Sequence, residues 1–133
     1  MAAIRDAVAR VRAVLPAEEA VFRGDRTARE VVLLNLFVAI QECIDLASHW
    51  LADEGWDVPS AYRDLFSALA EHGVISTELA DRMGAAAGLR DLVAHRYGSM
   101  DWQRVHEIAS GEIDGLLAFA EEIARGVAAG PEG

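Results

Sequence analysis

Three side chains able to do chemistry together lie in one stretch, Gly88-Leu89-Arg90-Asp91-Leu92-Val93-Ala94-His95-Arg96-Tyr97-Gly98. Arg90 is a permanent cation whose planar fork suits phosphate oxygens. His95 can give or take a proton near neutral pH, and Tyr97 adds a phenol. A cation that holds phosphate beside an acid/base group is the minimum needed to cleave a phosphodiester. Asp91 precedes His95 by one helical turn, a spacing at which its carboxylate can orient the imidazole and favour the protonated ring. Arg96 places a second cation next to His95. The same residues also fit a plainer role, in which Arg, His and Arg at a helix end simply complement the helix dipole.

These groups must be brought together by the backbone that carries them. On an ideal helix Arg90 and Tyr97 share a face, because seven residues make two turns. His95 lies about 140° around the axis from Arg90. The two converge only if the helix ends or distorts near Ala94, and Gly98 supplies a stop. One Arg–His pair also provides only one proton carrier, whereas acid–base cleavage of a phosphodiester needs both a base and an acid. A twofold dimer supplies the second His and the second Arg. The segment Gly84-Ala85-Ala86-Ala87-Gly88 is expected near that twofold interface. Two Gly inside a helix cost about 1 kcal/mol each relative to Ala, a cost that close approach of another backbone would explain.

The rest of the chain reads as helices. Ile4, Val8, Val11 and Leu15 recur at helical spacing, and Pro16 ends or kinks that helix while allowing another turn through Phe22. Thr27-x-x-Glu30 reads as a capping box for the longest helix, roughly Thr27 to Asp53, which is apolar around much of its circumference and therefore central. After the Gly55–Pro59 loop, Ser60 is expected to cap a short helix that presents Tyr62, Leu65, Phe66 and Leu69 and stops at Gly73, with His72 near its C-terminus. Ser76 caps the helix that carries Arg90. Asp101 caps the last, whose apolar face is Val105, Ile108, Leu116, Leu117, Ala120 and Ile123. Fraying is expected from Gly126 onward. No strand-like alternation occurs, so the predicted fold is all-α, an antiparallel bundle of four or five helices over residues 1–127 with a flexible tail at 128–133.

Composition narrows the function. At 133 residues with 53% apolar residues, one domain can bury a proper core. The net charge is −10, and all twelve basic residues are Arg. A strongly acidic chain is a poor generic nucleic-acid binder, so any such binding must rest on a local cluster such as Arg90 and Arg96. The acidic remainder suits a basic protein partner equally well. The single cysteine, Cys43, sits among apolar residues and reads as core, not nucleophile. No internal disulfide is possible, which fits a reducing, cytoplasmic setting. The N-terminus carries no signal-peptide pattern and no apolar run reaches membrane-spanning length unbroken, so no membrane association is expected.

A second constellation lies on the long helix. Asn35, Glu42 and His49 fall at heptad spacing with Asp45 and Asp53 close by. They can begin a metal site within a bundle, but the only candidates on a facing helix, His106 and Glu107, lack a Glu-x-x-His pattern. A solvated or cleft-lining polar stripe is the better reading. His72 and His106 read as surface residues. Trp50, Trp56 and Trp102 read as packing.

The longer pattern G-L-R-x-x-x-x-H-x-Y, followed by an acidic residue that opens the last helix, resembles the signature of the HEPN superfamily and most nearly its HepT-like branch. Gln41 and Asp45 on the long apolar helix, Pro59-x-x-Tyr62 leading into a short helix, and Phe66 also stand where that branch has them. One residue departs: the family commonly has Asn after the Arg, and this chain has Asp91. The resemblance implies a metal-independent endoribonuclease toxin with no cofactor, its site in the cleft of a homodimer. Arg90 and His95 would be catalytic, Asp91 and Arg96 supporting, and RNA the substrate. Tyr97 matches the tyrosine to which a nucleotidyltransferase antitoxin attaches AMP. A non-catalytic HEPN-type module that partners a nucleotidyltransferase, and a metal-binding bundle, are the alternatives.

Overall fold

A computed structural model describes residues 2–96 and 99–129, with only the course of the backbone described over 91–96 and 127–129. Among the described residues seven α-helices follow one another: α1 (Ala2–Val14), α2 (Glu19–Gly24), α3 (Arg26–Asp53), α4 (Tyr62–Glu71), α5 (Thr77–Arg96), α6 (Trp102–Glu107) and α7 (Ile113–Ala129), with a π-helical segment, Ile108–Glu112, joining α6 to α7. Among the described residues there is no strand. The four long helices α1, α3, α5 and α7 form the bundle, and α2 and α4 fill its corners.

Helix α3 is the axis of the molecule. Its 28 residues span about 42 Å at 1.5 Å per residue. It is long and apolar enough to cross a membrane by length and composition alone, with a mean hydropathy of 1.7 over its most apolar window. Half of that window is buried inside the protein, where α1, α2, α4, α5 and α7 pack on it, while Leu34 and Val38 remain exposed. Val32, Leu36, Ala39, Ile40, Cys43, Ala47 and Leu51 are buried there. Helix α1 answers with Ile4, Ala7, Val8 and Val11, one stripe at three- and four-residue spacing.

Helix ends explain several local departures from expectation. Asp25, and not Thr27, caps α3: its carboxylate accepts from the Ala28 amide at 3.0 Å. Asp is at least as good a cap as Thr, so the helix begins earlier and Glu30 turns instead to Arg26, at 3.0 Å. Ser60 does not cap α4; the cap position is Ala61, in extended backbone and without a side-chain bond. Ser76 and Asp101 cap as expected, accepting from Leu79 and Arg104. Helices α3 and α4 end in the same way. Gly55 and Gly73 take positive φ, and the next residue bonds back across the last turn, Trp56 N–H to Leu51 O and Val74 N–H to Leu69 O, each at 2.9 Å. The Trp56 ring stacks on exposed His72, with centroids 3.7 Å apart, and ties the two helix ends together.

His106 is not a surface residue. It is 8% exposed, its ring packs near Phe22, and Nε2 lies 2.9 Å from the Pro16 carbonyl. A carbonyl can only accept, so Nε2 carries the hydrogen. The π-helical segment was also unforeseen. It falls on Ser110-Gly111, two poor helix formers. Ile108 and Ile113 are both buried although five residues apart, and the wider i→i+5 turn lets them share the core side. Arg82 reaches this segment from α5, bonding Glu112 and the Gly111 carbonyl at 3.4 Å.

Within the chain, Gly84 and Gly88 of α5 do not meet another backbone. A methyl added at Gly84 would meet the Arg63 side chain at 3.1 Å, and at Gly88 nothing within 4 Å. Helix α7 continues past Gly126, where fraying was expected, to Ala129. The edge of the Trp50 ring points at Gly126, and its Cη2 would sit 2.4 Å from an added Cβ. The same substitution should therefore have opposite signs at the two sites. Gly88→Ala should stabilise the fold by about 0.5–1 kcal/mol through helix propensity. Gly126→Ala should destabilise it by about 1–3 kcal/mol through overpacking. Denaturant melts of both variants check this, and a stabilising Gly126→Ala would contradict the described packing.

Candidate active site

Arg90 sits where α3, α4 and α5 meet. Leu89, 2% exposed, anchors this part of α5 in the core and so fixes where the next residue emerges. The half-buried guanidinium is bracketed by two aromatic rings, with Cζ 5.0 Å from the centroid of Tyr62 and 5.6 Å from that of Phe37. Both distances are within the range of cation–π attraction. Arg90 Nε–H donates to Gln41 Oε1 at 3.1 Å, and Gln41 Nε2–H in turn donates to Asp45 Oδ1 at 3.0 Å.

The elements that supply these groups do so for simple reasons. Phe37, Gln41 and Asp45 recur every fourth residue, one stripe along α3. Tyr62 is the first residue of α4, delivered by the extended backbone of Ala61 after the Pro59 loop. Helix α4 packs on α5, with Leu65, Phe66 and Leu69 of the one and Leu79, Ala80 and Met83 of the other all buried in the core. From the sequence, Gln41 stands only as a point of resemblance, Tyr62 as that and as part of the apolar face of its helix, and Phe37 is not singled out. The signal that pointed to this cluster was a polar pair, Gln41 and Asp45, one turn apart in a mostly apolar helix.

Asp91, His95, Arg96 and Tyr97 fall outside the residues whose side chains the structure describes. The backbone of α5 bears on them in one respect. The helix does not stop near Ala94 but runs to Arg96, as a stretch free of Gly and Pro allows. Five residues along a continuous helix set the Cα positions of Arg90 and His95 about 140° apart around its axis. A helix ending at Ala94 is therefore not what brings the pair together.

The second constellation does not assemble. Asp45 and His49 are exposed, Asn35 is buried and donates to the Val31 carbonyl at 2.8 Å, and Asp45 is engaged with Gln41. Among the described residues no three His, Cys, Asp or Glu side chains gather as a metal ion would require. Cys43 is fully buried. Burial, and after it the neighbouring Glu42 charge, pushes its thiol far above the ordinary range, which makes it core and not nucleophile. Trp50, Trp56 and Trp102 pack partly buried against the core. Trp102 also lies beneath the Arg29 guanidinium, 5.1 Å away.

The chain is similar to known proteins over nearly its whole length. The model of one protein family, Ribonuclease HepT-like, matches residues 4–123. Among curated proteins, the mRNA nuclease HepT of Shewanella oneidensis is 28% identical over 102 residues, 77% of each chain. Among solved structures, a tri-AMPylated Shewanella oneidensis HEPN toxin in complex with an MNT antitoxin superposes with a TM-score of 0.84 and 27% identity, over 93% of this chain and 92% of the other. A toxin–antitoxin complex with AMP-PNP gives 0.81 and 26% identity, over 92% of each chain.

The raised thiol has a consequence for stability. The folded state holds the Cys43 proton while the unfolded thiol, with an ordinary value of 9.0, gives it up. This contribution is complete below about pH 9 and is lost as pH rises above it, by about 1.4 kcal/mol per pH unit at most. With no Lys and two Tyr in the chain, few other groups titrate there. Unfolding free energy should fall between pH 9 and 10.5, and more steeply in wild type than in Cys43→Ala. Parallel slopes would contradict a buried neutral thiol.

Proposed function

The chain belongs to the ribonuclease HepT-like family, and on that premise we propose that it is an endoribonuclease toxin, independent of metal, that cuts RNA by attack of the 2′-hydroxyl. The observation that carries this reading is the placement of Arg90. A cation clasped by Gln41, Tyr62 and Phe37 where three helices meet has a fixed position, and a fixed cation is what stabilises charge developing on a phosphorane.

In this reading Arg90 binds the scissile phosphate. His95 is the acid/base, and Asp91 orients it. Arg96 adds positive charge beside it in an otherwise acidic chain. A homodimer supplies a second His95, so that one imidazole removes the 2′-hydroxyl proton while the other protonates the leaving 5′-oxygen, giving a cyclic phosphate. Two features favour such pairing. Leu34 and Val38 are exposed at 63% and 37%, on the part of α3 that carries Phe37 and Gln41. The continuous helix through Arg96 also separates the Arg90 and His95 positions within one chain.

A nucleotidyltransferase antitoxin is proposed as the partner, as the complexes of the solved relatives suggest. It would move AMP from ATP to the Tyr97 hydroxyl, releasing pyrophosphate. The added phosphate brings a bulky anion to the Arg-rich segment and competes there with RNA by charge and volume.

RNA cleavage in excess EDTA tests the activity. His95→Ala should lose at least about a hundredfold. The wild-type rate should be bell-shaped in pH with one limb near the ordinary imidazole value of about 6.5, both limbs belonging to the coupled pair. Full activity of His95→Ala would remove that residue from the mechanism, and an inactive wild type that still binds a nucleotidyltransferase would favour a binding module. Control is tested by co-expression with the antitoxin enzyme. Wild type should gain AMP-sized mass increments and lose toxicity, and Tyr97→Phe should gain none and stay toxic. Increments at another residue of Tyr97→Phe would overturn the assignment.

A further inference from the structure

We propose that Arg29, in the first turn of α3, is a second phosphate-binding residue, and that it takes an RNA phosphate flanking the one assigned to Arg90. The proposal rests on the ribonuclease reading above and extends it to the start of α3 and to Trp102 of α6.

Arg29 is built into the fold. Its guanidinium lies over the Trp102 ring, with Cζ 5.1 Å from the centroid, within the range of cation–π attraction. Trp102 is itself held by an edge contact with buried Phe22, centroids 6.1 Å apart. Phe22 in turn packs near the His106 ring, which is fixed by its bond to the Pro16 carbonyl. Helices α2 and α6 thus support the ring on which the cation rests.

Fold stability alone gives weak reason for a cation there. The macrodipole favours anions, not cations, in the first turn of a helix, and the first turn of α3 holds no acidic residue. Arg29 Nε is buried without a hydrogen-bond partner, which is costly in itself. The carboxylates nearest in sequence to Arg29 and Trp102 are engaged elsewhere. Asp25 accepts from the Ala28 amide, Asp101 accepts from the Arg104 amide, and Glu30 pairs with Arg26. Two other partly buried arginines, Arg82 and Arg104, each pair with a glutamate. Among the described residues Arg29 pairs with no carboxylate. A residue that breaks several local rules and is nevertheless held in place is expected at a functional site. Arg29 is partly exposed, so its fork beyond Nε reaches solvent, where a phosphate oxygen can accept from it.

Its place suits a strand held at Arg90. Helix α3 meets the motif segment at both ends. Arg90 lies against Phe37 and Gln41, and Trp102, twelve residues later in the chain, lies beneath Arg29. Along α3, Arg29 precedes Phe37 by eight residues, about 12 Å at 1.5 Å per residue. Roughly three to four stacked nucleotides cover that length at about 3.4 Å each. An RNA that follows α3 from Arg90 therefore brings a further phosphate to Arg29.

Binding and cleavage test this together. The binding probe is a 2′-O-methyl RNA that carries several phosphates and cannot be cut. Arg29→Gln, which loses the charge, should bind it about tenfold more weakly at low salt, the scale of one charge-assisted bond. Its slope of log K against log salt should be shallower by about 0.7. Arg29→Lys should keep the slope. In cleavage, Arg29→Gln should raise KM more than it lowers kcat. Its loss in kcat/KM should be larger on a long RNA than on a dinucleotide, which has no flanking phosphate. An equal loss on both substrates would overturn the flanking position. Wild-type affinity and slope in Arg29→Gln would overturn the proposal, whether or not the variant melts at a lower temperature, and would make Arg29 a packing residue. Such a result beside intact cleavage would leave the ribonuclease reading standing. A wild type that cleaves no RNA, yet binds it with the slope change on Arg29→Gln, would leave the phosphate site standing and remove the ribonuclease reading beneath it.

Discussion

The fold depends on covering one helix. Helix α3 is apolar on several sides at once, and a helix of that kind is stable in water only when neighbours surround it. The arrangement of α1, α2, α4, α5 and α7 around it satisfies that constraint. Gln41 and Asp45 interrupt the apolar pattern of α3, and Gln41 and Phe37 face Arg90. Core and candidate site are therefore not separable. The packing of α4 on α5, through Leu65, Phe66 and Leu69, sets the position of the Tyr62 ring that in turn holds the guanidinium.

Charge bears on how an acidic chain would bind the proposed RNA substrate. With a net charge of −10, the surface as a whole repels phosphate, so binding cannot rest on a diffuse basic field. It must come from a few cations fixed in place, for which Arg is better suited than Lys because its fork is planar and preorganised. A long-range field unfavourable to RNA also leaves room for control. On the proposed reading, one anion added in the Arg90–Tyr97 segment would remove a large share of the local positive charge, and the acidic remainder offers nothing to replace it.

Much of the fold was legible because apolar spacing and strong caps are local signals. The stripe of Ile4, Val8 and Val11, the span of α3 and the caps at Ser76 and Asp101 follow from residues close in sequence. The departures arise where two local options compete or where a distant partner decides. Asp25 and Thr27 both qualify as caps, and nothing nearby ranks them. His106 looks polar until Pro16 and Phe22, from the other end of the chain, close over it. The π-helical turn is required by the burial of Ile108 and Ile113 together, which only the assembled core imposes. At the site, Arg90 was visible from its motif. Its clasp by Phe37 on α3 and Tyr62 on α4 was not, because no spacing within a single helix records a contact between three. The family, by contrast, was legible early, since G-L-R-x-x-x-x-H-x-Y combines several residue types at fixed offsets.

The most direct measurement is the binding of an uncleavable RNA, with 2′-O-methyl groups throughout, to wild type and to Arg90→Ala over a range of salt concentrations. Each phosphate contact in a single strand contributes about −0.7 to the slope of log K against log salt. If Arg90 holds the scissile phosphate, Arg90→Ala should bind at least about tenfold more weakly at low salt, with a slope shallower by about 0.7 for each site lost. Equal affinity and an unchanged slope in a folded Arg90→Ala protein would contradict the assignment of Arg90 as the phosphate-binding cation.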